Sequence, residues 1–253
     1  MSQLNNKTAV ITGASSGIGR AIAECYAKAG AAVVINYRRS QAEAEQVVAA
    51  IEAAGGKAWA VQADVSQQQQ VDALLQAALD KTGQLDIWVN NAGADILTGT
   101  DADKTDAEKL QALLQVDLQG TIFCSWAAVA YMQEHGGGHI INMSWDQAMQ
   151  GYAGTNPQMF AAVKAGVSAF SKSLARSVAP TIRVNVLAPG WIQTKFADTT
   201  MPRDYYEQRL QEIPLRRFGR PGEVAAAALF LASGQADYLT GTVLNIGGGA
   251  DLG

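Results

Sequence analysis

Short apolar runs alternate with longer stretches of helical period along this chain, and that rhythm predicts its architecture. The runs at 8–12, 32–37, 57–62, 85–90, 139–144, 183–187 and 243–246 are continuously apolar rather than alternating. Parallel strands covered on both faces read this way. Between them, helical spacing of apolar residues marks 17–29, 41–54, 67–81, 104–134 and 158–178. Strand and helix in succession predict an α/β fold, a doubly wound parallel sheet of about seven strands with helices on both faces. No Pro/Ser-rich linker or shift of composition divides the 253 residues, so a single domain over 1–253 is expected. In such sheets ligands bind beyond the carboxyl ends of the strands.

The first strand runs into Thr12-Gly13-Ala14-Ser15-Ser16-Gly17-Ile18-Gly19 and then into a helical pattern that ends at Gly30. Glycines there let the backbone approach a pyrophosphate, which the free N–H groups and positive helix end would face. The spacing Gly-x-x-x-Gly-x-Gly is not the commonest dinucleotide fingerprint, and a plain strand-to-helix turn also uses such glycines. The end of the second strand sharpens the choice. A carboxylate at this place holds the ribose diol of NAD and repels the 2′-phosphate of NADP. This chain has Asn36 there, followed by Arg38 and Arg39, whose planar guanidinium groups suit a phosphate. NADP is therefore expected ahead of NAD. Asp64-Val65 after the third strand is placed to contact adenine, and Asn90-Asn91-Ala92-Gly93 after the fourth either to run along the cofactor or simply to form a turn.

Charge and rarer residues narrow the field. The formal net charge is -4 and the pI about 5.2, with the charges scattered, which argues against nucleic acid as a partner. No apolar run reaches the roughly 18 residues of a membrane span. No signal peptide fits Met1 through Lys7, so a cytoplasmic protein is expected. Cys25 and Cys124 lie in apolar helical stretches and are expected to be buried free thiols. His135 and His139 flank three glycines and read as solvated loop residues; no cluster has metal-ligand spacing, so no metal is expected. His139 also starts a strand, at the end away from the site, which sets aside a Ser/His/Asp hydrolase.

Taken together, Thr12-Gly13-x-x-x-Gly17-x-Gly19, Asp64-Val65, Asn90-Asn91-Ala92-Gly93, Lys164, Pro189-Gly190 and Thr194 resemble the short-chain dehydrogenase/reductase family. Gly219 through Val224 and Leu231 through Gly241 add to the likeness, which spans nearly the whole chain and is nearest the β-ketoacyl carrier-protein reductase and glucose-dehydrogenase-like branch. The resemblance implies a Rossmann-type domain, a nicotinamide cofactor and, usually, a tetramer. The stretches 104–134 and 158–178 carry apolar residues on more than one side, which places a homotetramer interface on them. The cofactor set implied is Gly13, Ser15, Ser16, Gly17, Ile18, Gly19, Asn36, Arg38, Arg39, Asp64, Val65, Asn91, Ala92, Gly93, Lys164, Pro189, Gly190, Ile192 and Thr194.

The family's carbonyl chemistry uses an Asn, a Ser and a Tyr-x-x-x-Lys pair. Here the tyrosine position holds Phe160, the serine position Trp145 and the asparagine position Asp117; Lys164 alone is kept. The stretch from Trp145 to Phe160 is longer than the family's usual spacing. A phenyl ring has no proton to give, so the candidate catalytic groups are Lys164, Asp146, Asp117, Ser144 and Tyr152, with Asp146 foremost as a replacement acid. Residues 191–214 are expected to form a substrate lid. At 245–249 the chain reads Asn-Ile-Gly-Gly-Gly where relatives often have an aspartate before two glycines. The expected function is an NADP(H)-dependent oxidoreductase acting on a small carbonyl, imine or enone with an atypical proton donor. The alternative is a non-catalytic cofactor-binding protein, acting as a sensor or partner subunit.

Overall fold

A computed structural model describes residues 3–251. The described residues form one parallel sheet of seven strands: β1 (Thr8–Ile11), β2 (Ala32–Tyr37), β3 (Lys57–Gln62), β4 (Ile87–Asn90), β5 (Gly138–Met143), β6 (Ile182–Pro189) and β7 (Val243–Ile246). The spatial order is β3-β2-β1-β4-β5-β6-β7. Chain direction of winding reverses between β1 and β4, and that switch opens the crevice where such sheets bind ligands.

The apolar runs fold this way because both sheet faces are covered. Neighbouring strand residues point to opposite faces, so Ala9 and Ile11 join Val33 and Ile35 in one core while Val10 and Val34 join Trp88 in the other. The first core is closed by helices α1 (Gly17–Lys28) and α2 (Gln41–Ala53), together with the later α9 (Pro221–Ala232). The second is closed by α3 (Gln68–Thr82), α5 (Gly120–Glu134) and α6 (Thr155–Val178). Tyr26 on α1 is fully buried, and its hydroxyl donates to the Ala228 carbonyl of α9 at 2.9 Å.

Three departures from the periodicity matter for the site. The helix expected over 104–134 starts at a Thr105/Glu108 capping box as α4 (Asp106–Leu113) and continues to Glu134. In its middle it widens into a π-helical turn, Leu114–Gln119, which contains Asp117; such turns often mark functional positions. By length and composition the helix Asp106–Glu134 contains a stretch long and apolar enough to cross a membrane, contrary to the expectation that no stretch qualifies. Here α5 packs on α3, α6, β4 and β5, as a core helix of the sheet.

Between β6 and β7 lie α7 (Lys195–Thr199), α8 (Arg203–Glu212) and α9. The first two are too short, and the third too uniformly apolar, to give a 3.6-residue signal. His139 is also not solvated. Burial, helped by the Arg183 guanidinium, pushes its pKa down to about 4. Cys124 is buried as expected, whereas Cys25 is only half-buried; burial raises both thiol pKa values.

Candidate active site

The glycine-rich turn is a backbone cradle. Gly13 has φ of +61° and packs so closely that a Cβ would stand 2.8 Å from the Ala92 Cα. Gly19 has no room either: a Cβ would meet the Asn91 side chain and the Gly13 carbonyl. Gly17 differs. Its φ is +56°, and the one atom within contact range of a Cβ there is Thr194 Cγ2 at 3.9 Å. Gly17 and Thr194 thus face each other across a gap, at the N-terminus of α1, with Ser15 half-buried, Ser16 exposed and Ile18 half-buried beside it. Neither a capping side chain nor an acidic residue occupies that first turn. Open amides, a positive helix end and a missing Cβ fit a dinucleotide pyrophosphate.

Two asparagines expected to touch the cofactor instead brace this turn. Asn36 is 2% exposed; its oxygen accepts from Gly13 N at 3.3 Å and its amide donates to the Ala63 carbonyl at 3.0 Å. Asn91 donates to the Thr12 and Gly13 carbonyls at 2.9 and 3.0 Å. Their side chains are spent inward because the strained turn needs its polar groups satisfied. The groups left at the outer edge are Arg38 and Arg39, both exposed, with Arg38 Nη1 3.9 Å from Asp64 Oδ2. Asp64 also caps its own turn by accepting from Ser66 N and Oγ at 3.0 and 2.7 Å. Val65 is buried against Gly120 at the start of α5.

Past β4 and β5 the polar groups form a buried cluster. Lys164 Nζ is 2.8 Å from Asp117 Oδ2, with both side chains nearly inaccessible, and donates to the Met143 carbonyl at 3.2 Å. The other Asp117 oxygen accepts from Ala94 N at 2.8 Å, and Gly93 lies so close that a Cβ would be 3.1 Å from Oδ2. The π-helical turn carrying Asp117 therefore ties α4–α5 to both the segment after β4 and the lysine of α6. Ser144 faces inward. Its hydroxyl donates to the Lys164 carbonyl at 2.9 Å and accepts from Ser168 at 2.8 Å, so it supports α6 rather than presenting a proton to the crevice.

Aromatic rings, Trp145 and Phe160, stand at the positions expected from the sequence to match the family's serine and tyrosine. Lys164 Nζ stands 5.3 Å from the Phe160 ring centre, and Trp145 packs edge-on against Phe160 at 5.4 Å. Tyr152 tilts against Trp145 at 6.4 Å, and its hydroxyl donates to Glu212 Oε2 at 2.6 Å. Asp146 has a different situation. It is 4% exposed, yet neither carboxylate oxygen has a hydrogen-bond partner of normal geometry. Burial pushes its pKa up to about 6, the adjacent Gln147 amide offsetting part of the effect.

Asp146 also packs on the glycines near the end of the chain. A side chain at Gly247 or Gly190 would collide with the Asp146 carboxylate. Pro189 and Ile192 are buried on either side of Gly190, and Ile192 bridges to Gly219. Residues 191–214 turn back over this end of the sheet: Trp191 stacks on Phe218 at 5.7 Å and meets Tyr205 edge-on at 5.9 Å.

A glycine cradle on a doubly wound sheet, with a buried lysine four residues after an aromatic on the long helix, defines an oxidoreductase class. A family model described as enoyl-(acyl carrier protein) reductase matches residues 13–251. The chain belongs to the short-chain dehydrogenase/reductase family. It is 40% identical over 252 residues to an uncharacterized oxidoreductase of Methylorubrum extorquens, covering 98% of this chain and 99% of that one. It is 40% identical over 251 residues to the 3-oxoacyl-[acyl-carrier-protein] reductase of Synechocystis, covering 98% of each. Among solved structures, a short-chain dehydrogenase of Burkholderia cenocepacia in complex with NADP superposes with a TM-score of 0.88 at 34% identity, over 98% of this chain and 99% of that one.

Proposed function

We propose that this chain is an NADP(H)-dependent oxidoreductase that moves a hydride to or from a small carbonyl, imine or enone. In this reading Asp146 gives or takes the proton in place of the missing tyrosine. The observation that carries it is the uncommitted, buried Asp146 carboxyl beside Gly190. Each other candidate already has a use: Asp117 holds Lys164, Ser144 holds the α6 backbone, and Tyr152 holds Glu212. A carboxyl with a pKa of about 6 is poised to exchange a proton near neutrality.

The family relationship and the NADP complex of the Burkholderia relative support the cofactor. A reduced nicotinamide held along the crevice would supply the hydride. Gly13, Gly17 and Gly19 would admit the pyrophosphate, and the amides of Ser15, Ser16 and Ile18 would donate to it. Arg38 and Arg39 would take the 2′-phosphate; Asp64 and Val65 would flank the adenine; Ala92 and Gly93 would run beside the ribose. Lys164, oriented by its ion pair with Asp117, would donate to the nicotinamide ribose. Pro189, Gly190, Ile192 and Thr194 form the opposite wall. Asn36 and Asn91 act from beneath, holding the turn in shape. Residues 191–214 close over the substrate and exclude water.

Positioning alone can lower a hydride-transfer barrier by about 7 to 11 kcal/mol. The acid is worth roughly 3 to 5 kcal/mol more, 10²–10⁴-fold in rate. We further propose a cytoplasmic homotetramer, supported by Leu110, Leu114 and Trp126 left exposed on the Asp106–Glu134 helix; light scattering at micromolar concentration gives its mass.

The test follows NADPH consumption against a panel of ketones, imines and enones near pH 6. At least one class is expected to be reduced, and Asp146→Asn to abolish that activity while leaving NADPH affinity intact. Phe160→Tyr combined with Trp145→Ser is expected to restore little. Strong ketone reduction in that double variant, with Asp146→Asn silent, contradicts the assignment of the acid. No consumption with any substrate hands the site to the non-catalytic alternative.

A further inference from the structure

Among the described residues, four buried side-chain atoms have no hydrogen-bond partner: both Asp146 oxygens, His139 Nδ1 and Arg209 Nε. His139 belongs to the opposite end of the sheet and Asp146 is the proposed acid. Arg209, on α8, has no part in that mechanism. It is only 4% exposed. A buried guanidinium nitrogen without an acceptor is costly even when another nitrogen of the same group is paired.

Its surroundings restrict what can supply it. The guanidinium carbon lies over the Tyr152 ring at 4.8 Å and over the Tyr205 ring at 4.7 Å. A guanidinium makes its hydrogen bonds in its own plane. There Glu212 takes Nη2 at 2.9 Å and leaves Nε bare. Glu212 is 39% exposed, and its second oxygen is held by the Tyr152 hydroxyl. The fork formed by Nε and Nη2 matches the two oxygens of a carboxylate, a geometry stronger than a single contact. Glu212 fills half of it from a half-exposed position, as a removable stand-in.

The clamp is connected to the proposed reaction centre by rings. Arg209 lies on Tyr152, Tyr152 meets Trp145 and Trp145 meets Phe160, with Lys164 Nζ over the Phe160 ring. A ligand lying along these rings would meet an apolar wall over its body and a cation at one end. We propose that Arg209 is the recognition site for a carboxylate on the substrate, which displaces Glu212 and pairs with Nε and Nη2. This rests on the oxidoreductase reading and adds the substrate class: an apolar body ending in a carboxylate, with the reducible bond at the other end. Reduction leaves that carboxylate unchanged, so Arg209 is a specificity residue and not part of the proton path.

The experiment measures binding of 3-phenylpropionate and its neutral isostere 3-phenylpropionamide by calorimetry, with and without NADPH. The acid is expected to bind at least about tenfold more tightly than the amide, the worth of a charge-assisted pair. Arg209→Met is expected to erase that preference. Glu212→Gln removes the competing charge and is expected to tighten the acid about threefold to tenfold. Equal binding of acid and amide, or no binding of either, overturns the proposal. So does a Glu212→Gln variant that weakens the acid as much as Arg209→Met, because the pair would then only pin the segment shut. A separate NADPH titration isolates the parent reading, which fails if the cofactor does not bind, whatever the acid does.

Discussion

The two halves of the crevice treat their polar groups in opposite ways. On the β1–β4 side, Asn36 and Asn91 are consumed by backbone partners and Asp64 by Ser66 and Arg38, so the glycine turn is braced in advance. On the β5–α8 side, a buried carboxylate and a buried guanidinium nitrogen have no partners. A site that binds an invariant cofactor can satisfy itself in advance. A site that must exchange a proton and hold a variable ligand leaves acceptors and donors open, at a cost in stability. The Lys164–Asp117 pair stands at the boundary and belongs to the satisfied half.

That contrast is broken most severely by removing one member of the buried pair. Asp117→Ala leaves the Lys164 ammonium buried without its counter-charge, an expected loss of about 3 to 5 kcal/mol in urea unfolding. Asp117→Asn, which keeps the Ala94 contact, is expected to lose less. A near-silent Asp117→Ala would mean that the pair is not part of the rigid half.

The open half makes the reverse prediction. The native Asp146 pKa is raised to about 6 from an ordinary carboxylate value of about 3.9. The native state therefore holds its proton more tightly than the unfolded chain. The stability that this confers is present below about pH 4 and lost as pH rises through 6, which at 1.4 kcal/mol per unit amounts to about 3 kcal/mol. Asp146→Asn is thus expected to raise stability relative to the parent by about that much at pH 8 and hardly at all at pH 4. Gly247→Ala sharpens the point. Its Cβ would collide with the Asp146 carboxylate, so the expected loss is about 1 to 3 kcal/mol, relieved when Asp146 is replaced by Gly.

The smallest effect concerns cofactor choice. Arg38→Ala with Arg39→Ala removes two exposed charges and is expected to narrow the preference for NADPH over NADH by about 1 to 2 kcal/mol. Equal affinities in the unmodified protein, measured by titration, would mean that these arginines do not read the 2′-phosphate.

How far the sequence could be read follows the same division. The central strands were legible because both of their faces are buried and their runs are mostly apolar; expected 32–37 and observed Ala32–Tyr37 coincide. The glycine turn and Lys164 were legible because local spacing positions them. The inward turn of Asn36 was not, since its acceptor at Ala63 lies on a neighbouring strand end. Nor was the relation between Asp146 and Gly247, which are far apart in the chain and meet only when β5, β6 and β7 assemble. Arg209 gave no signal at all. On a short, polar helix it reads as an ordinary surface charge, and only the fold buries it against two tyrosines.

The central claim is that a carboxyl at Asp146 does the work of the absent tyrosine, and the pH dependence of kcat/KM for NADPH-driven reduction tests it most directly. Because the acid must be protonated to act, kcat/KM is expected to be level below pH 6 and to fall about tenfold per unit above it. Asp146→Asn should abolish both the activity and that limb. A rate that holds level to pH 9, or an Asp146→Asn enzyme with the parent's profile, would contradict the account.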